Sequence, residues 1–172
     1  MLKLAGALLI IVAGGAAGII RAREYMRRPG ELKSILASLQ MLETEITYAA
    51  TPLAEALERV AATGGREMGG LFAGAAAELR AMSGCTAAEA WQKSLQSFYP
   101  ASALRESDLS ILYNLGSALG ISDRQDHSKH LRLASEQLKL EAARAGDEAT
   151  RNVKMWNCMG FCGAAALVFL IY

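Results

Sequence analysis

The chain carries a long apolar run at each end, and basic residues lie on the inner side of both. Leu4 to Ile20 (LAGALLIIVAGGAAGII) holds no charged residue, and Met155 to Tyr172 (MWNCMGFCGAAALVFLIY) holds none before the terminal carboxylate. Each is about 17–18 residues, or roughly 26 Å as a helix, which matches the hydrocarbon thickness of a bilayer. Arg21, Arg23, Arg27 and Arg28 flank the first run, and Arg151 and Lys154 flank the second. These features predict two transmembrane helices with one polar segment between them.

Charge predicts the orientation. Residues 29–150 hold 11 Lys and Arg against 16 Asp and Glu, a net of −5, while the two flanks are basic. Cations beside a span stay on the cytoplasmic side, so both collars place the middle segment in the cytoplasm and both ends outside it. The expected layout is a transmembrane helix over 1–20, a basic juxtamembrane collar over 21–28, a cytoplasmic helical domain over 29–150, and a collar with a second transmembrane helix over 151–172. This is a two-pass cell-membrane protein whose collars meet anionic lipid headgroups. A cleaved signal peptide is the competing reading of the first run, but four arginines directly after it oppose translocation of the downstream chain. Nucleic acid is not an expected partner: no aromatic residue is interleaved with the arginines, and the segment beyond them is acidic.

The middle segment reads as helix throughout. Leu32, Ile35, Leu36, Leu39, Leu42, Ile46 and Ala49 recur at helical spacing on one face. Thr51 is placed to cap a second helix, with Pro52 at its first position and Gly64–Gly65 ending it. A third helix spans about Glu67–Met82, with Leu71, Phe72, Ala75 and Leu79 inward. Thr86 and Glu89 form a capping-box pattern that opens a fourth, burying Ala90, Trp91, Leu95 and Phe98 before Pro100. A fifth begins near Ser107–Asp108 and carries Leu109, Leu112, Tyr113, Leu115 and Leu119. The sixth begins at Ser122, with a stripe through Leu131, Ala134, Leu138, Ala142, Ala145, Ala149, Val153 and Trp156. No proline interrupts the chain after Pro100, so the sixth helix is expected to continue into the second span. No strand pattern is present. The predicted fold is all-α: a cytoplasmic antiparallel six-helix bundle between N- and C-terminal transmembrane helices. Its expected core includes Trp91, Leu95, Leu112, Leu115 and Leu131.

Catalytic chemistry is scarce. There is no G-x-x-x-x-G-K-[ST] run, so the chain is not itself a P-loop ATPase. Glu43 and Glu45 are two apart and point away from each other on a helix. Asp123, His127 and His130 share one helix face at spacings that metals can use, but a solvated polar face at a helix start, where acids favour the dipole, is the favoured reading. Three cysteines are too few for a disulfide framework. No cofactor is implied, and the chain reads as non-enzymatic.

Several segments resemble a known family. LKSILASLQMLETEITYAATPLAEALERVA, TAAEAWQKSL and LSILYNLGSALGISDRQDHSKHLRL, set between two spans, are similar to the stage III sporulation protein AB family. More distantly, Thr51–Leu57, Thr86–Ala90 and Leu119–Asp123 resemble turns of the F-type domain of type II secretion and type IV pilus platforms. Those platforms usually carry two such domains and three spans, which favours the sporulation family. The resemblance implies a mother-cell membrane protein of the complex built between mother cell and engulfed forespore. It implies action beside a secretion-ATPase-like subunit and other membrane subunits of that complex. Copy number is left open, with a homo-oligomer among the options. The matching motif points to partner contact through the junction of the fifth and sixth helices, at Gly120, Ser122, Asp123, Arg124, Asp126 and His130. Two alternatives remain at this level: a generic secretion or pilus platform subunit, and a membrane-anchored metal enzyme using Asp123, His127 and His130.

Overall fold

The computed structural model describes the backbone of residues 2–65, 68–81, 84–119 and 124–171, and the side chains of 25–65, 68–81, 84–119, 128–155 and 158–159. Six α-helices follow one another: α1 (Leu2–Thr47), α2 (Leu53–Thr63), α3 (Gly69–Arg80), α4 (Ala87–Phe98), α5 (Glu106–Leu119) and α6 (Arg124–Ile171). A single 3₁₀ turn, Tyr99–Ala101, lies between α4 and α5. No strand occurs among the described residues. The chain divides into two units, Met1–Pro29 with Ala143–Tyr172, and Gly30–Ala142.

In the Gly30–Ala142 unit the apolar stripes become the core. Leu32, Ile35, Leu39, Leu42 and Ile46 of α1 are buried, at the 3–4 spacing of one helix face. Leu36 is only half-buried, and Ala49 is exposed because α1 ends at Thr47. Helix α2 contributes Ala56, Leu57 and Val60, and α3 contributes Leu71, Phe72, Ala75 and Ala76. Leu131, Ala134 and Leu138 of α6 are buried in the same way. All five expected core residues, Trp91, Leu95, Leu112, Leu115 and Leu131, are buried. Helix α2 packs on α3, α3 on α4, and α4 on α5.

Helix ends follow local chemistry where the capping partner is close in sequence. Thr86 Oγ1 accepts from Glu89 N at 3.2 Å while Thr86 N donates to Glu89 Oε2 at 2.8 Å, the reciprocal pair expected of a capping box. At the start of α5, Arg105 N donates to the buried Asp108 carboxylate at 2.9 Å. The end of α4 tightens into the 3₁₀ turn holding Pro100. Gly84 adopts φ +73°, a left-handed conformation that a Cβ would disfavour.

Two expectations need correction. Thr51 does not cap α2. Pro52 occupies the N-cap position, α2 starts at Leu53, and no side chain caps it. Thr51 Oγ1 instead donates to Glu45 Oε2 at 3.0 Å, a charge-assisted bond that outcompetes a neutral cap. The first bundle helix is also not a separate element, because α1 runs through Pro29. A proline inside a helix removes one N–H bond to the preceding turn, and here that loss does not end the helix. Ser122, the expected start of the sixth helix, Glu67 and Met82 lie outside the described residues.

One seam shows why particular small residues stand where they do. Trp91 of α4 sits against Gly116 of α5, and a Cβ at Gly116 would collide with the indole. The close approach lets Trp91 Nε1 donate to Leu112 O at 2.8 Å, a buried bond. Phe72 meets Trp91 edge-on, with ring centroids 5.5 Å apart, a favoured aromatic geometry. Gly74 of α3 similarly makes room for Ser94, whose hydroxyl donates to Leu71 O at 2.6 Å.

In the other unit, Ala145 and Ala149 are buried, continuing the α6 stripe, and Val153 is half-buried. Trp156 lies outside the residues with described side chains. So do both apolar runs, apart from Met155, Cys158 and Met159. Among the described residues no helix is long and apolar enough to cross a membrane.

Candidate partner-docking end of the helical unit

Helix α1 brings its last turns to one end of the Gly30–Ala142 unit, and α6 begins beside them. Ser128 Oγ donates to Glu43 Oε1 at 3.4 Å, and Arg132 Nε pairs with the same oxygen at 3.1 Å. The opposite end is marked by Ala103 N, which donates to the buried Glu31 carboxylate at 2.7 Å. The start of α6 therefore belongs to the same end as the α1–α2 turn.

That turn is held by one carboxylate. Thr51 N donates to Glu45 O at 3.1 Å, and Thr51 Oγ1 and Arg59 both reach Glu45 Oε2, at 3.0 and 3.1 Å. Arg59 also donates to Glu55 Oε1 at 2.8 Å. The Glu55 hydrogen bond, with the charges of Glu45 and Glu55, raises the half-exposed Arg59 guanidinium above its ordinary pKa. Ala50 takes φ +53°, uncommon for a residue with a Cβ. So clamped, the turn presents Tyr48 at 85% exposure. Glu43 and Glu45, two apart on α1, serve different neighbours, as their spacing predicts.

The candidate contact residues fall largely outside what is described. Gly120, Ser122 and Asp123 are outside the described residues. Arg124, Asp126 and His127 stand in the first turn of α6, outside the residues with described side chains. His130 is exposed on α6. The Asp123, His127 and His130 set accordingly has one described side chain, and among the described residues no group of three such ligands occurs. Of the membrane-edge cations, Arg21 and Arg23 lie in α1 outside the described side chains. Arg27, Arg151 and Lys154 are exposed, whereas Arg28 is buried and engaged within the protein. Cys85 is a free thiol whose Sγ donates to Glu78 O at 3.4 Å.

Sequence reasoning passed over several surface features. Leu133 and Leu140, seven residues apart, lie on the outward face of α6, opposite Leu131 and Leu138. Helical phase alone would have found them, because both fall off the buried stripe. Tyr48 likewise follows Ile46 out of phase. The Glu45 clamp had no sequence signal, since Arg59 lies 14 residues away.

Comparison with known proteins fits this architecture. The chain matches the stage III sporulation protein AB family over residues 3–172. It is 34% identical over 171 residues to the stage III sporulation protein AB of Bacillus subtilis (strain 168), covering 99% of each chain. A solved structure of a stage III sporulation protein AB (SpoIIIAB) superposes with a TM-score of 0.68 at 33% identity, covering 72% of this chain and 97% of that one. A match over nearly the whole chain, supported at the level of fold, places this chain in the stage III sporulation protein AB family.

Proposed function

We propose that this chain is a non-enzymatic membrane subunit of the mother cell–forespore complex of sporulation, and that its helical unit docks a secretion-ATPase-like partner. The family match across residues 3–172 carries the reading, because it takes in both apolar runs and the helical unit together. The two runs are of bilayer length, with cations on their inner sides. They would anchor the chain twice in the mother-cell membrane and leave the helical unit in the cytoplasm. The chain has no P-loop motif of its own, so any nucleotide-driven work needs a separate subunit. The end carrying the α1–α2 turn and the start of α6 is the proposed contact. It combines an exposed tyrosine with clamped charged groups, and aromatic residues are enriched at interfaces.

Two measurements test this. A reporter active only in the cytoplasm should work when inserted at Gly64–Gly65 and fail when appended after Tyr172. An active fusion after Tyr172 would overturn the two-pass layout. In detergent extracts of the sporulating host, the full chain should co-purify the secretion-ATPase-like subunit. Efficient recovery of the other membrane subunits without it would remove the docking role.

A further inference from the structure

Helices α1 and α6 each carry the chain across the boundary between its two units, after Pro29 and after Ala142. Between Arg21 and Thr47 the only proline and the only glycine of α1 are Pro29 and Gly30. Between Arg124 and Met159 the only glycine of α6 is Gly146, one turn past the crossing, and there is no proline. Each helix is therefore weakest where it changes unit. Pro29 has no N–H for Tyr25 O, and its ring crowds that carbonyl. Glycine in place of alanine shifts the local helix–coil balance roughly fivefold toward the open form.

Packing does not require either glycine. Gly116 and Gly74 have a side chain of the neighbouring helix pressed against them, whereas a Cβ at Gly30 or Gly146 would meet nothing within 4 Å among the described residues. Neither takes a positive φ. The Gly146 turn is weakened a second time. Thr150 Oγ1 donates to Gly146 O at 2.9 Å, the carbonyl that an α-helix assigns to Thr150 N. Such back-bonding competes with the backbone bond and favours bending. Side-chain packing is also thin there: from 141 to 152, α6 buries only Ala142, Ala145 and Ala149. On α1 the turn before the Arg28–Pro29 step, Tyr25 to Arg27, is exposed. Beyond it the helix is fixed, with Leu32 and Ile35 fully buried and the Glu31 carboxylate accepting from Ala103 N at 2.7 Å.

We propose that Pro29–Gly30 and the Gly146–Thr150 turn form a paired hinge, at which the Gly30–Ala142 unit swings as one body against the rest of the chain. A bend in one helix alone would be resisted by the other, so the device needs a soft turn in both. It stands whether or not the docked partner is the ATPase-like subunit proposed above.

The full chain in detergent micelles tests this by pulsed spin–spin distance measurement. Nitroxides are carried on p-acetylphenylalanine replacing Gln96 and Lys154, one in each unit and both exposed. A pair at Ala62 and Gln96, within one unit, is the rigid reference. In the native chain the 96–154 distance distribution should be broader than the reference. The Gly30→Ala, Gly146→Ala double variant adds two methyl groups in open space and should narrow it to the reference width. Amide hydrogen exchange across 143–150 should slow roughly fivefold in Gly146→Ala. A native 96–154 distribution as narrow as the reference would overturn the hinge. An unchanged width in the double variant, or unchanged exchange in Gly146→Ala, would overturn its assignment to these turns.

Discussion

The seam between α3, α4 and α5 and the rim around the α1–α2 turn are both held by polar contacts, but under opposite conditions. In the seam the donors are buried. Trp91 Nε1 reaches Leu112 O and Ser94 Oγ reaches Leu71 O, each where a glycine lets the helices close. At the rim Arg59, Glu55, Arg132, Arg80 and Glu58 stay partly or largely in water. Buried hydrogen bonds fail expensively, because the orphaned group has lost water as well as its partner. Exposed ion pairs contribute about 0–1 kcal/mol and are screened by salt. The seam therefore sets stability, and the rim is free to change partners, a division suited to a surface that docks another protein.

Four substitutions sharpen or break this contrast, all read by chemical unfolding of the chain in mild detergent, followed by circular dichroism. Trp91→Ala should have the largest effect, about 3–5 kcal/mol, since it empties a fully buried site and removes the indole bond to Leu112 O. Leu112→Ala should cost about 2–5 kcal/mol; a change below about 0.5 kcal/mol would mean that the α5 phase is wrong. Gly116→Ala adds one carbon yet should cost about 1–3 kcal/mol, because the rigid indole has no room to give. A neutral outcome there would show that the seam tolerates overpacking and is not the specifying contact. Arg59→Ala should be smallest, within about 1 kcal/mol, and smaller still at high salt. If it matched Gly116→Ala in size, the rim would be as structural as the seam.

Much of the fold is legible because helices write their burial into local spacing. The stripes Leu32–Ile35–Leu39–Leu42 and Leu131–Ala134–Leu138 predict buried faces, and they are buried. The Thr86–Glu89 box needs only two residues three apart, and it forms with both bonds. The Thr51 cap fails for the opposite reason. Its hydroxyl has a local option, and a carboxylate on the preceding helix offers a stronger one. The candidate site is legible only as a motif at the α5–α6 junction. That the start of α6 shares an end with the clamped α1–α2 turn depends on Glu43 meeting Ser128, 85 residues later.

The sequence by itself determined the helical class, the phase of each buried face and the family, since each is a matter of residue type at short spacing. Only the tertiary structure decided why Gly116 must be glycine and which partner Thr51 takes. Those facts depend on how close two helices approach. That distance is set by side chains that are far apart in sequence and meet only in the packed unit.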